Sequence, residues 1–209
     1  MEENDYLKED NDYEVDNLKI SHNKNNKEEE EGIYKINRKG NMLMYFYNKE
    51  GEPLIVIGPQ WCFSILLIII INFISFIYIF FLWNLLFYYI KVIGFIIHIY
   101  FYISFGLVCF SNPGIPSKDL FLENYLNSKN IDEPGSYRIC SSCKFIMRVK
   151  DKTEHCELCD ICIIGHDHHC PWTSKCIGKN NLYFFYSFMS SIILLIFFYF
   201  FGVLSLLFI

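Results

Sequence analysis

Between Trp61 and Trp83 the chain runs WCFSILLIIIINFISFIYIFFLW, 23 residues without a single charge. As a helix at ~1.5 Å per residue this run is ~35 Å long, enough to cover the ~30 Å hydrocarbon core of a bilayer. Two further uncharged runs follow, VIGFIIHIYFYISFGLVCF over 92–110 and LYFFYSFMSSIILLIFFYFFGVLSLLFI over 182–209. With 53% hydrophobic and 19% aromatic residues, the chain is too apolar for a soluble domain of its length. Trp61, Trp83, Tyr88 and Tyr89 fall near the ends of the first two runs, where amphipathic rings prefer the interface. The expected fold class is an α-helical integral membrane protein with three visible transmembrane helices, 61–83, 92–110 and 182–209.

Lysine and arginine set its orientation. Eight lie before the first span, Lys91 alone lies between the first two, and nine lie between Asn112 and Asn181. The positive-inside rule therefore puts the N-terminus and the long loop 111–181 in the cytosol. The acidity is confined to the start: residues 1–60 hold 14 acids against 8 bases, whereas the loop balances nine against nine. Residues 1–40, rich in Asn, Lys, Glu and Asp, bury too little apolar surface to offset their ordering entropy and are expected to be a disordered tail. In the juxtamembrane segment 41–60, MLMYFY and PLIVI flank NKEGE, the pattern of a short hairpin lying against the membrane face. No cleavable signal peptide is visible, so the first span is expected to serve as the insertion signal. Inside the spans, Asn72 and His98 are read as partners of a neighbouring helix rather than as a functional site, and Cys62 and Cys109 as inert buried thiols.

Seven of the nine cysteines lie between Cys140 and Cys176, in a loop just assigned to the reducing cytosol, where metal binding or catalysis is favoured over disulfides. The spacings Cys140-x2-Cys143, Cys156-x2-Cys159 and Cys159-x2-Cys162 suit turns that bring two thiolates to one tetrahedral zinc at ~2.3 Å. Two closed sites need eight ligands, and the loop offers seven thiols plus His155, His166, His168 and His169. If each site is Cys3His, one thiol is left over. Cys170 is the best candidate for that spare thiol. Asp167-His168-His169 precedes it, supplying an imidazole to take its proton and a carboxylate to hold the imidazole's tautomer, and Pro171 favours a fixed, non-helical presentation. A seventh structural thiol is the competing reading. Nucleic-acid binding is a poor fit, since the loop is charge-balanced and tied to two membrane spans.

The pattern C-x2-C-x11-H-C-x2-C-x2-C-x4-D-H-H-C-x5-C-x4-N, from Cys140 to Asn181, with hydrophobic spans on both sides, resembles the DHHC-type protein S-acyltransferases, the palmitoyltransferases. The resemblance implies a cytosolic cysteine-rich loop folded around two structural Zn2+ ions. One site is Cys140, Cys143, His155 and Cys162; the other is Cys156, Cys159, His169 and Cys176. It implies Cys170 as nucleophile, His168 as its general base and Asp167 as the group that orients His168. The implied reaction moves a long-chain acyl group from palmitoyl-CoA or another acyl-CoA to Cys170. The acyl group then passes to the juxtamembrane cysteine of a cytosolic or membrane-attached protein substrate. The family suggests endoplasmic reticulum or Golgi membranes, while the plasma membrane or a specialised organelle is equally compatible with the residues.

An acyl chain gains about 0.8 kcal/mol per CH2 in an apolar setting, so a reaction at the cytosolic bilayer surface, with the chain in a cleft between helices, keeps it out of water. Trp172 is placed to cap that cleft, and Arg148, Lys175 and Lys179 are candidate partners of the CoA phosphates. The sequence departs from the family pattern in an 11-residue gap before His155, where nine is usual, and in Asn112-Pro113-Gly114 where Asp-Pro-Gly is usual. The family's fourth helix and Thr-Thr-x-Glu motif fall outside the 209 residues. The alternative to an acyltransferase is a catalytically silent membrane-bound zinc scaffold, or an incomplete fragment of such an enzyme.

Overall fold

The computed structural model describes residues 37–49, 51–82, 87–117 and 137–205. Three helices form its apolar part: α1 (Trp61–Leu82), α2 (Tyr88–Phe110) and α3 (Leu182–Ser205). Each is long and apolar enough to cross a membrane. Their outward faces carry large apolar side chains, Phe73 on α1, Phe95 on α2 and Phe200 on α3 among them, each more than half exposed. Such a surface suits lipid rather than water. Helix α2 begins four residues before the expected Val92, so Lys91 and the two tyrosines at its start belong to its first turns.

Between the helices, polar side chains supply what apolar contacts in a bilayer cannot. Tyr100 Oη is 3.0 Å from Ser187 Oγ and 2.7 Å from Ser190 Oγ, and buried Ser104 donates to Ser191 at 3.1 Å. Deeper along the helices, His98 Nε2 meets Tyr199 Oη at 2.8 Å and Ser75 Oγ at 3.0 Å, and Tyr102 donates to Asn72 Oδ1 at 2.8 Å. Asn72 and His98 are thus partners of neighbouring helices, as read from the sequence. Both line a cavity of about 280 Å³ among the three helices.

At one end of the helices lies a module of short antiparallel strands. A three-stranded sheet comes first: β1 (Asn37–Lys39), β2 (Met42–Tyr47) and β3 (Pro53–Ile57), in that order. The hairpin expected from MLMYFY and PLIVI is therefore present, with Met44 opposite Val56. Its buried side chains Met42, Met44 and Val56 pack on Cys156, Cys159, Ile161, Ile163 and Cys176, so this face meets the cysteine-rich loop rather than a membrane. Residues 37–40, expected to close the disordered tail, instead form β1 and a turn. The rest of that tail lies outside the described residues. Three two-stranded hairpins follow: β4 (Tyr137–Ile139) with β5 (Ile146–Arg148), β6 (Glu154–Cys156) with β7 (Ile161–Ile163), and β8 (His168–Cys170) with β9 (Lys175–Ile177).

Asn112 joins α2 to this module. Its Oδ1 accepts from the backbone N–H of Gly114 and Ile115, both at 2.9 Å, closing the turn that Pro113 starts. The amide does this without the carboxylate usual in the family pattern. On the far side, buried Asn181 accepts from Gly178 N–H at 2.8 Å and donates to Cys176 O at 3.2 Å, which fixes the entry into α3.

Candidate functional site

Hairpin register explains how two sets of ligands interleave. On β6, His155 and Cys156 are consecutive, and consecutive strand residues point to opposite faces. His155 lies opposite Cys162 of β7, and these two gather with Cys140 and Cys143. Cys156 faces the other way and gathers with Cys159, His169 and Cys176, the last two being opposite each other on β8 and β9. Cys143 and Cys159 are each followed by a residue in the left-handed region, Lys144 at φ 53° and Asp160 at φ 52°, which turns the chain back into the next strand.

In each group the four ligand atoms all lie within 4.8 Å of one another. His169 Nδ1 is 3.4 Å from both Cys156 Sγ and Cys159 Sγ and 3.6 Å from Cys176 Sγ. The Cys159 and Cys176 sulfurs are 3.6 Å apart. A tetrahedral zinc with Zn–S near 2.3 Å and Zn–N near 2.0 Å separates its ligands by roughly 3.5–3.8 Å, so these donors fit the ion. The other group is looser: His155 Nδ1 is 3.2 Å from Cys143 Sγ and 4.0 Å from Cys162 Sγ. Thiols this close cannot all ionise alone. Hydrogen bonding from Cys176 holds Cys159 down to about 5, while the same bond and burial push Cys176 up. A dication answers this charge problem by stabilising every thiolate.

His166 joins neither group; its Nδ1 lies 3.5 Å from Glu154 Oε2. Cys170 also stands outside both, the one cysteine of the loop to do so among the described residues. Alternation along β8 puts His168 and Cys170 on one face and His169 on the other. Cys170 is buried in a cluster with Phe105, Val108 and Cys109 of α2, Phe188 of α3 and Ile177. His168, half-exposed, sits edge-on to Phe185 of α3 with ring centres 5.0 Å apart. Its Nδ1 is 2.9 Å from Asp167 Oδ2. Cys170 itself is extended, φ −110° and ψ 106°, before a 3-10 turn over Pro171–Thr173, the conformation a following proline favours.

The four side chains expected at CoA and the acyl cleft end up in different settings. Trp172 is 45% exposed and stands edge-on to Phe63 of α1 at 6.1 Å. Lys179 is exposed, and Arg148 donates to Asp151 at 2.8 Å. Lys175 is a correction. Expected on an exposed loop, it is fully buried, and its Nζ donates to Val56 O at 2.9 Å, to Val108 O at 3.3 Å and to Cys109 O. It caps the C-terminal carbonyls of α2, where a cation is favoured, and ties them to β3. Burial lowers its pKa from 10.5 to about 8. A side chain so enclosed does not meet a phosphate. Gln60 and Ser64, which the sequence reading passed over, also reach this region: Gln60 Oε1 is 2.9 Å from His169 Nε2, and Ser64 donates to Trp172 O at 2.9 Å. Only the Gly58-Pro59 turn signal just before them marked the place.

Three membrane-length helices, with two Cys3His groups at one end and a seventh loop thiol outside both, define an α-helical membrane protein with a metal-binding module. Residues 133–209 match the DHHC palmitoyltransferase family model. Among similar proteins, Palmitoyltransferase ERF2 of Kluyveromyces lactis is 34% identical over 105 residues, 41% of this chain and 29% of the relative. Palmitoyltransferase ZDHHC18-A of Danio rerio is 36% identical over 117 residues, 46% of this chain and 25% of the relative. Palmitoyltransferase swf1 of Schizosaccharomyces pombe is 39% identical over 89 residues, 40% and 23% of the two chains. The chain thus spans under a third of the length of these curated relatives.

Proposed function

We propose that the chain is a protein-cysteine S-palmitoyltransferase that carries its acyl group on Cys170 at the cytosolic membrane face. The observation that carries this reading is the place of Cys170: outside both metal groups, on the same face of β8 as His168 with its Asp167 bond, and packed against α2 and α3. Asp167 occupies His168 Nδ1, which leaves Nε2 as the nitrogen that takes the Cys170 proton. The thiolate attacks the acyl-CoA thioester carbon, forming the Cys170–acyl bond. The CoA sulfur leaves and receives the proton from His168. A substrate cysteine then gives its proton to His168 and attacks the acyl-Cys170 carbonyl, and Cys170 departs to be reprotonated.

Two structural zinc ions, held by Cys140, Cys143, His155 and Cys162 and by Cys156, Cys159, His169 and Cys176, would neutralise the thiolates and staple the loop. The apolar helix faces beside Cys170 support an acyl chain lying between helices rather than in water. Trp172 lies at the rim, and Arg148 and Lys179 remain as partners for the CoA phosphates. Membranes of the endoplasmic reticulum or Golgi, and protein substrates with a juxtamembrane cysteine, complete the reading.

The test is incubation of the membrane-reconstituted chain with labelled palmitoyl-CoA. A hydroxylamine-labile adduct is expected on the wild type and not on Cys170→Ala, with zinc content equal in the two. No adduct on a zinc-loaded wild type would favour a silent scaffold.

A further inference from the structure

The chemistry proposed above gives no role to residues 56–64, which lead from β3 into α1. This short segment nevertheless makes a run of contacts with 169–175, the stretch that contains Cys170. Gly58 N–H donates to Ser174 Oγ at 3.2 Å, Gln60 N–H to Ser174 O at 3.2 Å, and Ser64 Oγ to Trp172 O at 2.9 Å. Val56 O accepts from Lys175. The backbones meet directly at Gly58, where an added Cβ would stand 2.0 Å from Ser174 O, so no larger residue fits without parting the two segments.

Gln60 makes the contact with chemical content. His169 Nδ1 points at the three sulfurs of its group, which makes Nδ1 the metal nitrogen and leaves the ring hydrogen on Nε2. That N–H is only a donor, so the amide oxygen of Gln60, 2.9 Å away, accepts it. An acceptor on the outer nitrogen of a metal-bound histidine fixes the tautomer and the ring plane, and its loss typically costs ~10–100-fold in metal affinity or activity. Cys170 follows His169 with no residue between on β8, so the hold on His169 bears directly on the strand that carries Cys170.

We infer that Gln60 is a positioning residue for acyl transfer. By accepting from His169 Nε2–H, it holds that histidine on its metal and holds the segment of Cys170 at the start of α1. The inference rests on Cys170 as nucleophile, and adds a determinant 109 positions before His169 and outside the cysteine-rich loop.

The experiment uses the full chain, zinc-loaded in lipid nanodiscs, as wild type, Gln60→Leu and Gln60→Glu. Zinc release to a chromogenic chelator is followed beside the rate of the hydroxylamine-labile adduct over a range of palmitoyl-CoA concentrations. Gln60→Leu, which has no acceptor, is expected to release one of its two ions ~10–100-fold faster. Its maximal acylation rate should fall by a similar factor, with the half-saturating palmitoyl-CoA concentration moving less than about twofold. Gln60→Glu keeps an acceptor and should restore both readouts. Wild-type zinc release from Gln60→Leu, or a Gln60→Glu variant as impaired as the leucine, overturns the inference. Should the leucine variant not fold, Gln60→Lys, a donor in place of the acceptor, takes its place under the same criteria. If the wild type forms no adduct, the acyltransferase reading fails, while the zinc-release arm still decides the role of Gln60.

Discussion

The two metal groups share a donor set and differ in everything around it. The group of Cys140, Cys143, His155 and Cys162 has a small core of its own with Phe145 and Met147, and Cys143 is exposed. The outer nitrogen of His155 is 3.7 Å from Asp160, itself mostly exposed. In the group of Cys156, Cys159, His169 and Cys176, Cys159 and Cys176 are fully buried. It packs on the β1–β3 sheet, is bonded through His169 to the start of α1, and adjoins Cys170 in sequence. One group joins the β4–β5 and β6–β7 hairpins; the other is built into the wall that holds Cys170. Identical ligands therefore do not imply equal consequences, because the free energy of binding a structural ion acts on whatever that ion holds together.

The sharpest way to break this contrast is to remove one thiol from each group. Cys159→Ala should lose one zinc and abolish the acyl adduct. Cys140→Ala should also lose one zinc, yet keep measurable acylation, because Cys170 and its neighbours retain their supports. Zinc content by atomic absorption, read beside adduct yield, checks both; equal loss of acylation would erase the distinction. Next in size, His168→Ala should keep both ions and slow adduct formation by about 10²–10⁴-fold, the range of a general base. Single-turnover rates at fixed palmitoyl-CoA test this, and a full rate would remove His168 from the mechanism. The smallest effect belongs to Lys175→Met, which leaves the Val56, Val108 and Cys109 carbonyls without their ammonium. It should destabilise the module by about 1–3 kcal/mol, the usual cost of a buried polar group left unpaired. Thermal denaturation followed by zinc release reads it out, and an unchanged midpoint would mean that water replaces the lysine.

The sequence announced the parts of this molecule whose signal is local. Charge-free runs over 61–83, 92–110 and 182–209 coincide with α1, α2 and α3, differing mainly where α2 starts early. Cysteine spacing pointed to two metal sites, the family resemblance divided their ligands, and the two strand patterns around NKEGE marked the β2–β3 hairpin. What it hid depends on pairings far apart in the chain. Gln60 and His169 are 109 positions apart, Ser64 and Trp172 are 108 apart, and no periodicity reports such a meeting. Lys175 was misjudged for a related reason. A lysine in a loop is exposed by default, and only the arrival of three backbone carbonyls from β3 and α2 makes its burial tolerable.

The back-to-back arrangement of His155 and Cys156 on β6 also sets an order in time. The ligand set that ends at Cys162 is complete before Cys170 has been synthesised, whereas the set containing His169 waits for Cys176, six residues after it. At about 5–20 residues per second, the first ion can lock its hairpins on the order of a second before the second ion finds its last thiolate. Throughout that interval an ordered half-module stands ready, and the segment around Cys170 is fastened only once Cys176 has joined its group. A chain interrupted before Cys176 would thus carry one complete ligand set and an unfastened Cys170, so that assembly itself finishes one half of the module before the other.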